Sequence, residues 1–303
     1  MFALAHLSDL HVTRPRPARA AELFNKRLLG FLSWRQRRRH VHRPEVLEAL
    51  LADLALQSSD HVAITGDLTH IGLPAEIHEA RGWLARIGPP ERVTLIPGNH
   101  DAYAASAPER SWETQWPAYI AGDDGAALRE LRVPDHFPTL RRRGPVALVG
   151  LCSAVPTAPL LATGVAGREQ LARLEPLLAR LGREGLCRVV LIHHRPTAGE
   201  VRRRALRDAQ ALREVLARAG AELVLHGHSH RSVFSQVAAE RGSIPVVGVR
   251  SASDGTARPE KSARYHLYEV EPRSGGGFRI GLRARGWDPA SGAVREVETR
   301  ELA

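Results

Sequence analysis

The sequence predicts an α/β fold with a layered sheet core, and three features of its 303 residues carry that prediction. Short apolar, β-rich runs alternate with longer stretches in which leucine recurs every three or four residues. Proline opens two of the longer stretches, at Pro44 and Pro74, where a helix loses nothing by lacking an N–H. Polar residues of a distinctive kind collect just past the ends of the β-rich runs.

Taken in order, the runs 2–7, 61–65, 93–96, 146–151, 188–192 and 223–226 read as buried strands. The segments 44–56, 74–87, 168–181 and 206–219 read as helices. Strand and helix in alternation is the pattern of a sheet covered by helices. After about Gly255 the character changes. Segments 264–270 and 278–285, separated by Ser274-Gly275-Gly276-Gly277, read as an antiparallel hairpin. From Trp287 the polar chain reads as a short final strand or a loose tail. No internal repeat or long linker divides the chain, so one domain over 1–303 is expected, with 263–303 as its C-terminal hairpin and tail.

With 43% hydrophobic residues the chain can bury one large core. It contains no apolar run long enough to cross a membrane. The first residues lack the basic start and long apolar stretch of a signal peptide, and Asp9 and His11 follow at once, so a cytoplasmic location is expected. The formal charge is +10, and Lys26 and Lys261 are the only lysines, so arginine supplies nearly all the positive charge. Such a field favours anionic partners, but arginine spread over any surface gives the same total, and charge alone does not choose a function. Cys152 and Cys187 sit in apolar runs and are expected as buried free thiols, which excludes a disulfide framework or a thiolate zinc site.

Five motifs carry the chemistry: Asp9-Leu10-His11, Gly66-Asp67, Gly98-Asn99-His100-Asp101, His193-His194, and His226-Gly227-His228-Ser229-His230. Each lies at the C-terminal end of an expected strand, where open α/β sheets bind their ligands. Imidazole and carboxylate donors without thiolate suit borderline first-row ions such as Zn, Mn or Fe. The alternating pairs Asp9/His11 and His228/His230 would face the same way on an extended backbone, and the neighbouring glycines would permit sharp turns.

In this order the motifs resemble the calcineurin-like metallophosphoesterase superfamily, and they span residues 9 to 230. The resemblance implies a four-layer α/β/β/α sandwich with a helical cap inserted after the first strand. It implies two transition-metal ions, divalent or trivalent, of Mn, Fe or Zn type. Asp9, His11 and His230 would hold one; Asn99, His193 and His228 would hold the other; Asp67 would bridge them. His100 would be catalytic, meeting the phosphate or protonating the leaving group. His194 and Arg195 are candidates for substrate binding, with a pocket wall or a plain hydrogen-bonded neighbour as the other readings of His194. Many family members carry an acidic residue three positions after the bridging Asp to orient that histidine; here the position is His70, and Asp101 is the available substitute carboxylate.

The implied activity is hydrolysis of a phosphodiester, a cyclic nucleotide or similar, by metal-bridged hydroxide. The pattern Gly66-Asp67-Leu68-Thr69, Gly72 and Glu76 resembles the bacterial class III phosphodiesterases. The alternative is a membrane-associated hydrolase of a lipid-linked pyrophosphate, similar to the UDP-2,3-diacylglucosamine hydrolases. That alternative rests on residues 14–43, too long for a structureless connection and so expected as a functional insertion with its own helix. Leu23, Phe24, Leu28, Phe31 and Leu32 can share one face with Trp34 beside it, while Lys26, Arg27, Arg35, Arg37, Arg38, Arg39 and Arg43 supply positive charge. Either the apolar face packs inward as a basic amphipathic cap, or residues 21–43 make peripheral contact with the inner membrane; a nucleic-acid strip is disfavoured by the sparse aromatics. Arg141–Arg143 and Arg202–Arg204 add basic clusters able to hold phosphate or to line solvent.

Overall fold

A computed structural model describes all residues except 17, 106–110, 124–135, 241 and 259; residue 17 belongs to the insertion and lies outside the described residues. The strands are β1 (Phe2–Leu7), β2 (His61–Ile64), β3 (Val93–Leu95), β4 (Thr139–Arg143), β5 (Val146–Gly150), β6 (Cys187–Leu191), β7 (Leu223–His226), β8 (Val233–Ala239), β9 (Gly242–Gly248), β10 (Arg264–Pro272), β11 (Phe278–Asp288) and β12 (Ala293–Glu301). They form two sheets, in the orders β12-β11-β10-β1-β2-β3 and β4-β5-β6-β7-β9-β8. Within them β1, β2 and β3 run parallel, as do β5, β6, β7 and β9.

Alternation along the central strands of the second sheet explains the layering. Val146, Leu148, Val189, Leu191, Leu223 and Leu225 share one core with Leu4, Ile64 and Leu95 of the first sheet. The intervening Ala147, Val149, Val190 and Val224 join a second core with Leu171, Leu174 and Leu178 of helix Arg168–Arg183 and Leu212 and Leu216 of helix Ala209–Ala219. A strand turned to apolar neighbours on both faces must be apolar throughout, which is why these runs show no polar alternation. Helices Pro44–Ala55 and Pro74–Ile87 pack on the first sheet through Leu47, Leu50, Ile77 and Leu84. The result is the expected α/β/β/α sandwich. Both cysteines are free thiols; Cys187 is buried and Cys152 partly so.

Besides the edge hairpin of β8 and β9, which no expected strand covers, three features differ from the sequence reading. The expected C-terminal hairpin forms as β10 and β11, but it joins the first sheet through β1, and the final strand β12 runs to nine residues. Strand β4 was hidden by its arginines; Arg141 is buried because it donates to the carbonyls of Ala118, Ala121, Val93 and Pro90. The insertion turns over relative to the inward-packing alternative. It comprises helix Arg27–Ser33, a π-helical turn Trp34–Arg38 and a short turn Arg39–Val41, and buries Arg27 and Trp34. Phe24, Leu28 and Leu32 stay exposed, Phe24 to 91%. The physical reason is polar. Arg27 Nε and Nη2 donate to the carbonyls of Ile71 and Gly72 at 3.0 and 2.8 Å, satisfying buried acceptors that no leucine can.

Candidate metal centre

The polar motifs leave the C-terminal ends of β1, β2, β3, β6 and β7 and meet between the two sheets. Two sets of donor atoms each lie within 4.8 Å of one another: Asp9, His11 and His230, and Asp67, His193 and His228. His11, Asp67 and His100 form a third such set between them. Asn99 joins the second set, its Oδ1 3.1 Å from His193 Nε2. All seven residues expected to hold metal are therefore brought together.

The backbone does this by a different route from an extended one. Asp9, His11, Asp67, His228 and His230 all have φ between 45° and 66°, and they make up five of the seven non-glycine residues with positive φ among the described residues. Each left-handed position costs about 1 kcal/mol for a residue with a Cβ, and such strain persists only where the surroundings enforce it. Here the loops lock one another. The Asp9 N–H donates to the Gly66 carbonyl at 2.9 Å and the His11 N–H to the Asp67 carbonyl at 3.1 Å. The His228 N–H donates to Asp9 Oδ2 at 3.0 Å, and the His100 N–H to Asp67 Oδ1 at 2.7 Å.

Gly66 has φ of 92°, but the glycines before Asn99 and His228 serve close approach instead. A Cβ on Gly98 would collide with Asp67 Oδ1, and one on Gly227 with Ser8 Oγ.

Partners beyond the donors set which nitrogen faces inward. His11 Nδ1 donates to the Thr69 carbonyl at 2.7 Å and His193 Nδ1 to the Thr65 carbonyl at 2.6 Å, so that Nε2 of each faces the cluster. His228 does the reverse: its Nε2 donates to the Arg204 carbonyl at 3.0 Å. His11 Nε2 is buried with no hydrogen-bond partner. A buried lone pair so placed, among imidazoles and carboxylates, fits a borderline transition-metal ion.

Asp67 Oδ2 lies 3.7 Å from His11 Nε2 and 3.2 Å from His193 Nε2, so one oxygen faces both sets. Burial opposes a charge on His193, but the Asp67 carboxylate outweighs it and lifts the imidazole to about 9. Burial likewise opposes ionisation of Asp9, yet His230, 3.0 Å away, holds its carboxyl well below the ordinary value. His11 is pushed the other way, by burial first and then by the imidazoles of His42, His100 and His70.

His100 is oriented by main chain. Its Nδ1 donates to the His70 carbonyl at 2.5 Å, so position 70 orients the ring through its backbone and not through an acidic side chain. Asp101 is not the substitute, because its oxygens accept from the backbone of Asp67, Leu68, Thr69 and Gly98. The other two expected residues are not brought to the centre's opening. His194 is fully buried, with Nδ1 bonded to Ser153 Oγ at 2.8 Å and Nε2 facing the Ala162 carbonyl at 3.3 Å. Arg195 Nε donates to Thr197 Oγ1 at 2.7 Å.

A cleft of about 910 Å³ opens over Asp67, Asn99, His100, His228 and His230. Lys26, Arg37, Arg203, Arg231, Arg258 and Lys261 line it, against Asp67 and Asp254 as the carboxylates among the described residues, so its field favours an anion. Leu29, Leu160 and Leu161 line it too. Two site residues were not singled out from sequence. His42 packs 4.7 Å from the His11 ring and bonds Ser253 Oγ at 2.9 Å; Arg38 donates to His100. Position in the insertion gave no signal for either.

The sequence model of the calcineurin-like phosphoesterases matches residues 2–232. A probable cyclic nucleotide phosphodiesterase of Synechococcus sp. is 26% identical over 228 residues, 74% of this chain and 77% of that protein. Among solved structures, a dimetal phosphatase from Danio rerio superposes with a TM-score of 0.64 at 12% identity, covering 100% of this chain and 98% of that one. A purple acid phosphatase from yellow lupin superposes at 0.56 with 14% identity, covering 98% of this chain and 53% of that one. At these identities the likenesses show the fold.

Proposed function

This chain belongs to the calcineurin-like phosphoesterase family, and from that premise we propose that it hydrolyses a phosphodiester, a cyclic nucleotide or similar, at a two-metal centre. It is a metal-dependent phosphoric ester hydrolase by family; the substrate class and the residue roles are our reading. The observation that carries it is Asp67 Oδ2, a single buried oxygen facing His11 on one side and His193 on the other. Asp9, His11 and His230 would hold one ion, Asn99, His193 and His228 the second, with Asp67 shared. When bound, such ions supply Lewis acidity toward the phosphate and lower the pKa of an attacking water.

The remaining work falls to the chain itself. The Thr69 and Thr65 carbonyls fix the tautomers of His11 and His193, and the His70 carbonyl aims His100 Nε2 into the cleft. In this reading His100 meets a phosphoryl oxygen beside Asp67, with which it lines the cleft, and the cleft's arginines offset the substrate's charge. The curated relative's name supports a diester substrate. The test is a metal-reconstituted screen of phosphomonoesters, phosphodiesters and cyclic nucleotides. Asp67→Ala should abolish turnover, and His100→Ala should slow it while metal stays bound. Full activity in either variant would refute the assigned roles, and turnover of monoesters alone would refute the diester reading.

One observation favours a second reading, hydrolysis of a lipid-linked phosphodiester or pyrophosphate at a membrane surface. The insertion leaves Phe24, Leu28, Leu29 and Leu32 exposed, and Leu29 with Leu160 and Leu161 also lines the cleft beside its cations. No helix among the described residues is long and apolar enough to cross a membrane, so contact would be peripheral. Co-sedimentation with anionic liposomes should be lost in Phe24→Ser/Leu28→Ser; absence of any binding by the parent protein would remove this reading.

A further inference from the structure

Arg38 ends the π-helical turn Trp34–Arg38, and its half-buried guanidinium lines the cleft. Its Nη1 lies 3.0 Å from His100 Nε2 and 3.2 Å from Nδ1; because Nδ1 carries the proton given to the His70 carbonyl, Nε2 is the nitrogen that accepts. Two neighbouring arginines are committed to the fold: Arg27 to the carbonyls of Ile71 and Gly72, Arg204 to the His228 carbonyl and to Glu200. Arg38 differs. Among the described residues no carboxylate lies within ion-pair distance of it, and its contact with His100 uses one of five N–H donors.

A partly desolvated cation without a counter-ion is costly unless an anion arrives to meet it. The planar guanidinium fork matches two phosphate oxygens at once, as an ammonium cannot. We propose that Arg38 grips the non-bridging oxygens of the substrate's phosphoryl group beside His100, so that the insertion supplies part of the active site. The inference rests on the phosphoester-hydrolase reading above, and its test is chosen to stand apart from that reading.

Inorganic phosphate is titrated by calorimetry into the metal-loaded full-length protein and into Arg38→Gln and Arg38→Lys, with bound metal measured in each. Arg38→Gln should weaken phosphate binding by about tenfold or more, the loss of a charge-assisted pair, with metal content unchanged. Arg38→Lys should fall between Gln and the parent. Kinetics on bis(p-nitrophenyl) phosphate should show kcat/KM falling in the same order. Unchanged phosphate affinity in Arg38→Gln would overturn the proposal, as would a loss matched by loss of metal. A parent protein that binds phosphate through Arg38 yet hydrolyses no ester would refute the proposed function and leave this inference standing.

Discussion

Asp101 Oδ2 accepts the backbone N–H of Asp67 at 2.9 Å, and the rest of that carboxylate is spent on the same turn. Oδ2 also takes the Gly98 N–H, while Oδ1 takes those of Leu68 and Thr69 and the Thr69 hydroxyl. Five donors converging on one buried carboxylate hold Asp67 in its left-handed conformation and link the loops after β2 and β3. Burial, and then the Asp67 charge, push the Asp101 carboxyl up to about 7; a cation held on Asp67 offsets the second of these.

Asp101→Asn places an amide NH2 against backbone donors and leaves at least two of them unmet. The expected cost is about 3 kcal/mol of stability, with weaker retention of metal, read by urea denaturation and elemental analysis. A change below about 0.5 kcal/mol would show that the turn holds without it.

Glycine positions give a paired test of close approach. A Cβ at Gly98 would sit 2.5 Å from the Asp67 backbone nitrogen and collide with its Oδ1, a side-chain atom held by the His100 N–H. Gly98→Ala is expected to cut turnover by about a hundredfold, since a displacement near 1 Å at a reacting centre has that effect. Gly82, on helix Pro74–Ile87, has nothing within 4 Å of its Cβ position. Gly82→Ala should leave activity alone and stabilise by about 0.5–1 kcal/mol through helix propensity. Equal effects of the two changes would contradict the steric account.

The contrast between what could and could not be read from the sequence follows the same physics. The seven candidate donors were legible because each follows closely on an apolar run, and because the order of their motifs resembles that of the family. Prolines at N1 marked helices Pro44–Ala55 and Pro74–Ile87. Strand β4 was illegible, since Arg141 is buried only by carbonyls from Pro90, Val93, Ala118 and Ala121 that local sequence does not reveal. The hairpin of β8 and β9 was missed because its edge strand β8 is only partly buried and lacks a clean period. In the insertion the apolar face suggested packing, but unpaired carbonyls at Ile71 and Gly72 selected the face bearing Arg27, a decision made by tertiary neighbours. His42 and Arg38 reached the site with that same turn of the helix.

A pH-linked prediction concerns the far side of the first sheet. Arg285 donates to both oxygens of Asp53, at 2.5 and 2.6 Å, and the Tyr265 hydroxyl donates at 2.5 Å, tying helix Pro44–Ala55 to β10 and β11. Burial opposes the Asp53 charge, but these donors outweigh it and hold the carboxyl below its ordinary value. A depressed folded pKa means stability present above the unfolded value, about 4, and lost as pH falls through the folded one. The group is partly open to solvent, so the contribution is about 1 kcal/mol. Asp53→Asn should unfold at lower urea than the parent at pH 7, with the gap narrowing below about pH 4. A gap constant from pH 7 to pH 3 would show that the ionised form is not favoured by folding.

The seating of the insertion can be tested at Gly30. A Cβ there would lie 2.6 Å from Ile71 Cγ2 and from the Tyr103 hydroxyl, and Tyr103 in turn stacks on His100 with ring centroids 5.4 Å apart. Gly30→Val therefore lifts helix Arg27–Ser33 away from the loop after β2 and draws Arg38 off His100. The candidate metal donors lie just past strands of the two sheets and keep their places, because none is contributed by the insertion. The expected outcome is unchanged metal content and an unfolding midpoint within a few degrees of the parent, with phosphate affinity lowered to the level of Arg38→Gln. Combining Gly30→Val with Arg38→Gln should add little further, since both remove the same contact and coupled changes are non-additive. Full additivity of the two losses would mean that Gly30 acts on the site by a route other than the position of Arg38.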